Sequence, residues 1–484
     1  MSGEDGMPEP SGRDVVELRI DAIAAGGDGV GRDDAGRVTF VPLTAPGDHV
    51  RAEITTAKAR WARGRLLELL TPAPDRREAP CPVFGVCGGC RLQHLSPERQ
   101  ATAKRTVVVA ALRRIGGLEI EVPELLRPGH ALGYRNRVTL TIRGGRSGFH
   151  GLYDPDEIVD CPNCLLAEKP VREAWDALAP WTALPGGGEL RVTIRASAAG
   201  RIALLVEGGR TPGDREAVAD RLPTLESYMW IDESGTPLLL GGRAWFAEVW
   251  QDIRYDLDPR VFLQVNRAAA AAMDDWLAGR LASRLGRGAV RFGRGPGGLD
   301  GLRVTDLYAG VGARPIRWAL AGATVSMCEV DSAACEAARV AARNVGAELA
   351  VHEGRVEDHL DLADADLVVV NPPRAGLARP VRDALVAGPA RAIAYVSCDP
   401  ATLARDLEQL CGTAKTAGVA GPYRAVAVQP FDAFPQTAHV ETIAWLERWK
   451  ADETTDPAEA EAAAVDAVGT SREDVDAGNV GEAA

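Results

Sequence analysis

At 484 residues, with 46% hydrophobic and 25% charged positions, the chain exceeds one hydrophobic core and has the balance of a folded multidomain protein, which excludes disordered and fibrous classes. No apolar run approaches the roughly eighteen residues that would span a bilayer, and the opening Met1-Ser2-Gly3-Glu4-Asp5 is polar and acidic where a signal peptide is basic and then apolar. A cytoplasmic protein with no membrane partner and reduced thiols is therefore expected. Of the net charge of -13, residues 451–484 contribute ten acidic and one basic side chain, or -9, leaving about -4 for the rest, whose bases are almost all arginine. Arginine pairs with phosphate and stacks on bases, so a local nucleic-acid surface is compatible with an acidic chain.

Residues 1–13 read as a disordered leader. From 15 to 70 the pattern is short β segments at 16–20, 37–42, 49–54 and 63–67, with turns at Gly26-Gly27-Asp28-Gly29 and Pro46-Gly47-Asp48. About 60 residues of short strands and tight turns suit a small OB-type barrel, a fold that binds oligonucleotides. Next comes Cys81-Pro82-Val83-Phe84-Gly85-Val86-Cys87-Gly88-Gly89-Cys90. Three cysteines so close together in a reducing compartment point to a metal site. Cys161 and Cys164 are the candidates for a fourth ligand, and spacing leaves zinc and iron–sulfur both open.

Residues 97–115 read as a basic helix with a solvated or RNA-facing side. A mixed α+β region follows, with strands expected at 137–142, 189–194 and 201–206. The glycine-rich stretch 286–302 reads as a surface excursion. From 303 onward β and α segments alternate, as in a doubly wound sheet. Strand 304–308 leads into the turn Ala309-Gly310-Val311-Gly312-Ala313, helix 314–321 follows, and a second strand over 323–330 carries Glu329. An acidic residue about twenty positions beyond a glycine turn hydrogen-bonds ribose hydroxyls in nucleoside-binding folds. The two-glycine turn lacks a pyrophosphate fingerprint, so S-adenosylmethionine fits better than a dinucleotide.

Strand 365–370 ends in Asn371-Pro372-Pro373-Arg374, which carries a polar side chain and a rigid backbone into the crevice of such a sheet. Strand 392–396 runs into Ser397-Cys398-Asp399-Pro400. The helix after it, 402–410, has Leu403, Leu407 and Leu410 on one face. Cys398 thus occupies a strand-to-loop junction, where open α/β sheets hold reacting groups, and a thiolate there is a candidate nucleophile. The final strands are 425–428 and 440–446. Glu441, inside an apolar strand, is the candidate buried carboxylate. Residues 451–484 offer too little apolar surface to order and read as a disordered tail.

Together these motifs resemble the RNA uracil-5-methyltransferase family over residues 15–449. The first segment resembles a TRAM domain through Gly26-Gly27-Asp28-Gly29-Val30-Gly31-Arg32, Phe40-Val41-Pro42 and Pro46-Gly47-Asp48-His49-Val50. The rest is carried by the Cys81/Cys87/Cys90 cluster with Lys104, Tyr134-Arg135-Asn136-Arg137, Phe262-Leu263-Gln264-Val265-Asn266, Asp306-Leu307-Tyr308-Ala309-Gly310-Val311-Gly312, Asn371-Pro372-Pro373-Arg374, Tyr395-Val396-Ser397-Cys398-Asp399-Pro400 and Phe434-Pro435-Gln436-Thr437-Ala438-His439-Val440-Glu441.

The resemblance implies a TRAM barrel at 14–72, a central domain at 73–257 whose helix 97–116 packs on the catalytic domain, and a Rossmann-like methyltransferase domain at 258–450. It implies Cys398 as the nucleophile and Glu441 as the base. Gln264, Tyr308, Gly310, Gly312, Glu329 and Asn371 are implied as S-adenosylmethionine contacts, and Phe262 as an aromatic near the target base. A 4Fe-4S cluster is implied on Cys81, Cys87, Cys90 and Cys161, Cys161 being preferred to Cys164 for its Cys-Pro pair. The implied substrate is structured RNA, with 23S ribosomal RNA first and transfer RNA as the other branch, and a monomer is expected.

Three departures stand out: Asn371 where relatives carry Asp, Ala313 where they carry a polar cofactor contact, and Arg355 near the place of a cofactor-binding Asn. Asn371 and Ala313 motivate the competing reading of a noncatalytic RNA-binding or assembly protein. A radical enzyme is disfavoured, because the C-x5-C-x2-C spacing lacks that class's C-x3-C-x2-C.

Overall fold

The computed structural model describes residues 14–161, 163–285, 298–412 and 421–449. The expected leader, residues 286–297 of the glycine-rich excursion, the acidic tail and Pro162 lie outside the described residues.

Strands β1 (Val15–Ile23), β2 (Gly29–Arg32), β3 (Val38–Val41), β4 (His49–Ala57) and β5 (Trp61–Thr71) close a barrel in the order β1-β2-β3-β5-β4. Alternating inward residues Leu18, Ile20, Val41, Val50 and Ala52 fill it. The sequence reading has no β2, because Gly29-Val30-Gly31 looks like turn. The glycines are there for close approach: a Cβ on Gly31 would lie 2.1 Å from the Arg19 carbonyl oxygen on β1.

After the cysteine loop comes α1 (Pro97–Ala111), capped by Ser96, whose side chain accepts the Arg99 N–H, and started by Pro97. It runs on through a π-helical turn at Leu112–Gly116 and stops at Gly117, φ 64°. The central domain is a seven-stranded sheet formed by β6 (Arg137–Arg143), β7 (Arg146–His150), β8 (Ile158–Asp160), β9 (Leu190–Ala196), β10 (Ile202–Gly208), β11 (Leu225–Ile231) and β12 (Pro237–Gly242), in the order β12-β11-β10-β9-β6-β7-β8. Helices α2 (Lys169–Leu178) and α3 (Arg215–Arg221) cover it, with Val171, Trp175, Leu178 and Val218 in its core.

A hairpin, β13 (Phe246–Trp250) and β14 (Ile253–Leu257), precedes α4 (Arg267–Arg284). The second seven-stranded sheet then interleaves β15 (Arg303–Leu307), α5 (Ala313–Leu320), β16 (Thr324–Glu329), α6 (Ser332–Val345), β17 (Leu349–Glu353), β18 (Leu367–Val370), α7 (Arg379–Ala387), β19 (Ala392–Ser397), α8 (Pro400–Cys411), β20 (Tyr423–Phe431) and β21 (Glu441–Arg448), with strand order β17-β16-β15-β18-β19-β21-β20. Strand order reverses between β15 and β18, so the crevice at their carboxyl ends is where a ligand is expected. The hairpin lies ahead of residue 258, yet Phe246, Trp250, Tyr255 and Leu257 share a core with Ile316 and Ala337 of this sheet's helices.

Helix α1 is not solvated all round. Val108, Ala111 and Leu112 pack into the same core as Leu403, Ala404 and Leu407 of α8. Its Lys104 is buried, with Nζ 2.6 Å from Asp432 Oδ1 and 3.0 Å from the Phe434 carbonyl oxygen. Residues 432–440, which join β20 to β21, take hydrogen bonds from every side. The Gln436 carbonyl accepts the N–H groups of Arg91 and Leu92 at 3.1 and 3.0 Å. The Gln100 amide donates to Gln436 Oε1 at 3.0 Å and accepts the Gln436 N–H at 3.2 Å. Tyr134 Oη donates to Pro435 O at 3.1 Å, and Asn266 Nδ2 to Ala433 O at 3.0 Å.

Removing one partner of a buried ion pair strands the other charge without solvent. Lys104→Met is therefore expected to cost about 3–5 kcal/mol in denaturant unfolding, and adding Asp432→Leu should recover most of it. Equal losses in the single and double variants would refute that account.

Candidate active site

Cys398 follows the last residue of β19, and Asp399 caps α8 by accepting the Thr402 N–H at 2.8 Å. The thiol is thus pinned between a fully buried strand and a helix start, and it stays half-buried. Burial and the nearby Glu441 carboxylate push its pKa up, while Arg374 opposes them through charge and a hydrogen bond. Glu441 opens β21, next to β19, and is 4% exposed. Burial pushes its carboxyl up to about 7 against the opposing charge of Arg374. Arg374 also reaches the His439 ring, with nitrogen separations of 3.4 and 3.5 Å.

A cavity of about 680 Å³ opens over the thiol, walled by the barrel (Ile23, Phe40), α1 (Val107), the π-helical turn after it (Arg114) and Cys398, Arg374 and His439. Glu441 follows His439 and Val440, which line this wall.

A second cavity, about 100 Å³, lies at the crossover between β15 and β18. Its lining brings together Gln264, Tyr308, Gly310 and Asn371 with Phe262, Ala313, Asp274 and Arg314. Tyr308 adopts φ 63°, a strained left-handed conformation for a residue with a side chain. Gly312 has φ 71°, and a Cβ there would meet Met327 Sδ at 2.9 Å and Ala338 Cβ at 3.0 Å. Its part is to let α5 close onto β16 and α6. Glu329 turns back onto the glycine loop: Oε2 accepts the Gly310 N–H at 2.8 Å, and Oε1 accepts those of Val330 and Asp331 at 2.8 and 3.0 Å. Oε1 is saturated by its two donors, while Oε2, with one, keeps lone-pair capacity for a hydroxyl. Phe262 is 55% exposed on the rim, with the Arg137 guanidinium 5.7 Å from its ring centre.

Asn371 lines the small cavity and Arg374 the large one, so four residues join the two chambers. Arg355 points elsewhere, toward Glu357 at 3.5 Å. Sequence reasoning assigned no role to Arg374, His439, Asp274 or Arg314. The first two stand inside quoted motifs, which was a usable signal. The last two have none, because only folding brings α4 against α5.

Cys81, Cys87, Cys90, Cys161 and Cys164 line one pocket of about 70 Å³. Among the described residues no three His, Cys, Asp or Glu side chains form a group that could hold a metal ion. Cys161 and Cys164 share the wall, so the geometry does not rank them.

The sequence profile of the tRNA (Uracil-5-)-methyltransferase family matches residues 314–449, and that of the TRAM domain residues 13–67. An uncharacterized RNA methyltransferase of Thermosynechococcus vestitus is 34% identical, over 89% of this chain and 98% of the relative. One from Bdellovibrio bacteriovorus is 30% identical, over 92% and 98%. The chain belongs to the RNA uracil-5-methyltransferase family. Among solved structures, a tRNA (uracil-54, C5)-methyltransferase of Pyrococcus abyssi, bound to S-adenosyl-L-homocysteine, matches with TM-score 0.66 and 26% identity, covering 89% of this chain and 100% of that one. Membership makes this an S-adenosylmethionine-dependent enzyme acting on RNA.

A carboxyl whose folded pKa is raised from 4.5 to about 7 contributes stability that is complete below the unfolded value and lost as pH rises through the folded one. Glu441→Gln stays neutral. Its stability relative to wild type should therefore increase by on the order of 2–3 kcal/mol between about pH 5 and about pH 8 in urea unfolding. A pH-independent difference would refute the buried, shifted carboxyl.

Proposed function

We propose that the protein methylates carbon 5 of a uridine in structured RNA, ribosomal RNA first, through a covalent bond between Cys398 and the uracil ring. The observation that carries this is the meeting of Cys398, Arg374 and Glu441 beside a cavity wide enough for an unstacked base. S-adenosylmethionine, bound against Gln264, Tyr308, Gly310 and Asn371 with Glu329 behind the loop, supplies an electrophilic methyl group.

Carbon 5 of uracil is too weak a nucleophile on its own. Addition of the Cys398 thiolate to carbon 6 delivers electron density to carbon 5, which takes the methyl. Arg374 favours the thiolate over the thiol at a site whose burial opposes charge. Glu441, poised near neutrality, then takes the proton from carbon 5, and the electrons left behind expel Cys398 from carbon 6. The target base must leave its stack to reach the thiol, and the barrel and α1 walls would hold it. The solved transfer-RNA enzyme is matched over its whole length, so transfer RNA remains the other branch. The enzyme is proposed to act as a cytoplasmic monomer.

A 4Fe-4S cluster takes one thiolate per iron, so it does not need three thiols converging on a single ion. The five cysteines around one pocket support such a cluster held by Cys81, Cys87, Cys90 and Cys161, with Cys164 on the same wall as the other choice of fourth ligand. When bound it would supply structural reinforcement of the loop that holds Gln436, not redox catalysis. Anaerobically purified protein should then carry roughly four irons per chain with visible thiolate-to-iron absorbance. Cys90→Ser should lose both, and serine at only one of positions 161 and 164 should do so. Protein devoid of iron under these conditions would refute the cluster.

The adduct is tested with RNA containing 5-fluorouridine, whose fluorine cannot leave as a proton does. With methyl donor present, wild type should form a protein–RNA complex stable to denaturant and Cys398→Ala none, with ribosomal and transfer RNA compared side by side. No adduct on either RNA would overturn the proposal.

A further inference from the structure

The small cavity has a charged floor that the family resemblance does not account for. Arg314 and Asp274 both line it, and their side chains are 11% and 12% exposed. Arg314 Nε stands 3.8 Å from Asp274 Oδ1 and 3.3 Å from Asp306 Oδ2. Asp306 is fully buried, and neither of its oxygens finds a well-aligned hydrogen-bond donor. Asp274 is held from the hairpin: Gln251 Nε2 donates to Asp274 Oδ2 at 2.6 Å, and Gln251 Oε1 accepts from Arg317 at 2.8 Å. Gln251 itself has φ 50° in the tight turn between β13 and β14, so the turn aims its amide at this spot.

One guanidinium between two carboxylates is an uneven arrangement. Asp306, with no exposure, serves to balance Arg314 from behind. Asp274 and Arg314 then offer the cavity one negative and one positive group less than 4 Å apart. A lone anion would be repelled by Asp274 and a lone cation by Arg314. A zwitterion whose ammonium and carboxylate are attached to the same carbon, as in an α-amino acid, can satisfy both groups at once.

We infer that Arg314 and Asp274 recognise the amino-acid end of the methyl donor, Arg314 taking its carboxylate and Asp274 its ammonium. This rests on the proposed methyltransferase reading and adds two binding residues to it. It also answers the departure at Ala313: the polar contact missing there is supplied one residue later and from α4.

The test is calorimetric binding of three probes to the full chain: S-adenosylhomocysteine, its decarboxylated analogue, and 5′-methylthioadenosine, which lacks the whole amino-acid end. Wild type should bind S-adenosylhomocysteine about 10–100-fold tighter than the decarboxylated analogue, the range expected for one charge-assisted contact. Arg314→Met should abolish that difference while leaving 5′-methylthioadenosine binding unchanged. Asp274→Asn should weaken S-adenosylhomocysteine and the decarboxylated analogue, which keeps the amine, but not 5′-methylthioadenosine. Wild type alone keeps the idea falsifiable if a variant misfolds: equal affinity for S-adenosylhomocysteine and its decarboxylated analogue overturns it. Uniform loss of all three probes in folded Arg314→Met also overturns it. Failure of wild type to bind any of the three would instead count against the methyltransferase reading.

Discussion

The arrangement of this protein depends on one buried turn, residues 432–440, and on the hydrogen bonds that converge there. Gln436 sits at φ 69° and 3% exposure, which a residue with a side chain adopts only where its surroundings over-determine it. They do: Arg91 and Leu92 from the cysteine loop, Gln100 and Lys104 from α1, Tyr134 from the approach to the central sheet and Asn266 from the start of α4 all bond to the turn. Because β21 begins at Glu441 directly after it, the same contacts that dock the domains set the carboxylate beside Cys398.

Burial shapes the chemistry of that site in both directions. A low-dielectric position raises the pKa of thiol and carboxyl alike, since each is charged only when deprotonated. For a base that must take a proton near neutrality, a value about 7 is useful. For a nucleophile the same shift is a handicap, and Arg374, the cation felt by both groups, offsets it. Two prolines separate Arg374 from Asn371, so the step between the thiol chamber and the cofactor chamber has little conformational freedom.

Much of the fold was legible because its strands follow simple rules. β18 and β19, buried on both faces, read as unbroken apolar runs; β1 and β4 largely alternate. β2 was hidden by glycines required for close packing, and β17 by its partly exposed Leu-Ala-Val-His-Glu pattern at the sheet edge. The hairpin of β13 and β14 closes on Gln251 and Asp252, both at positive φ, where Asn-Gly would have advertised the turn. From its residues alone helix α1 read as basic with a solvated or RNA-facing side, because its charged residues dominate the count. Only the family resemblance pointed to packing on the catalytic domain, where its buried face meets α8 and encloses Lys104.

Local sequence by itself determined four of the five barrel strands, the alternation of the catalytic domain, and the placing of Cys398 and Asn371 at strand ends and Glu441 within a strand, because each lies in a short motif whose backbone preference is set by its neighbours. Gln264 and Tyr308 were singled out by the family resemblance. Tertiary structure alone decided which distant groups face one another: Arg374 against Cys398 and Glu441, and Asp274 against Arg314. The reason is that charge pairing and burial depend on separation in space, and nothing in a residue's immediate neighbours encodes what another helix will bring within 4 Å.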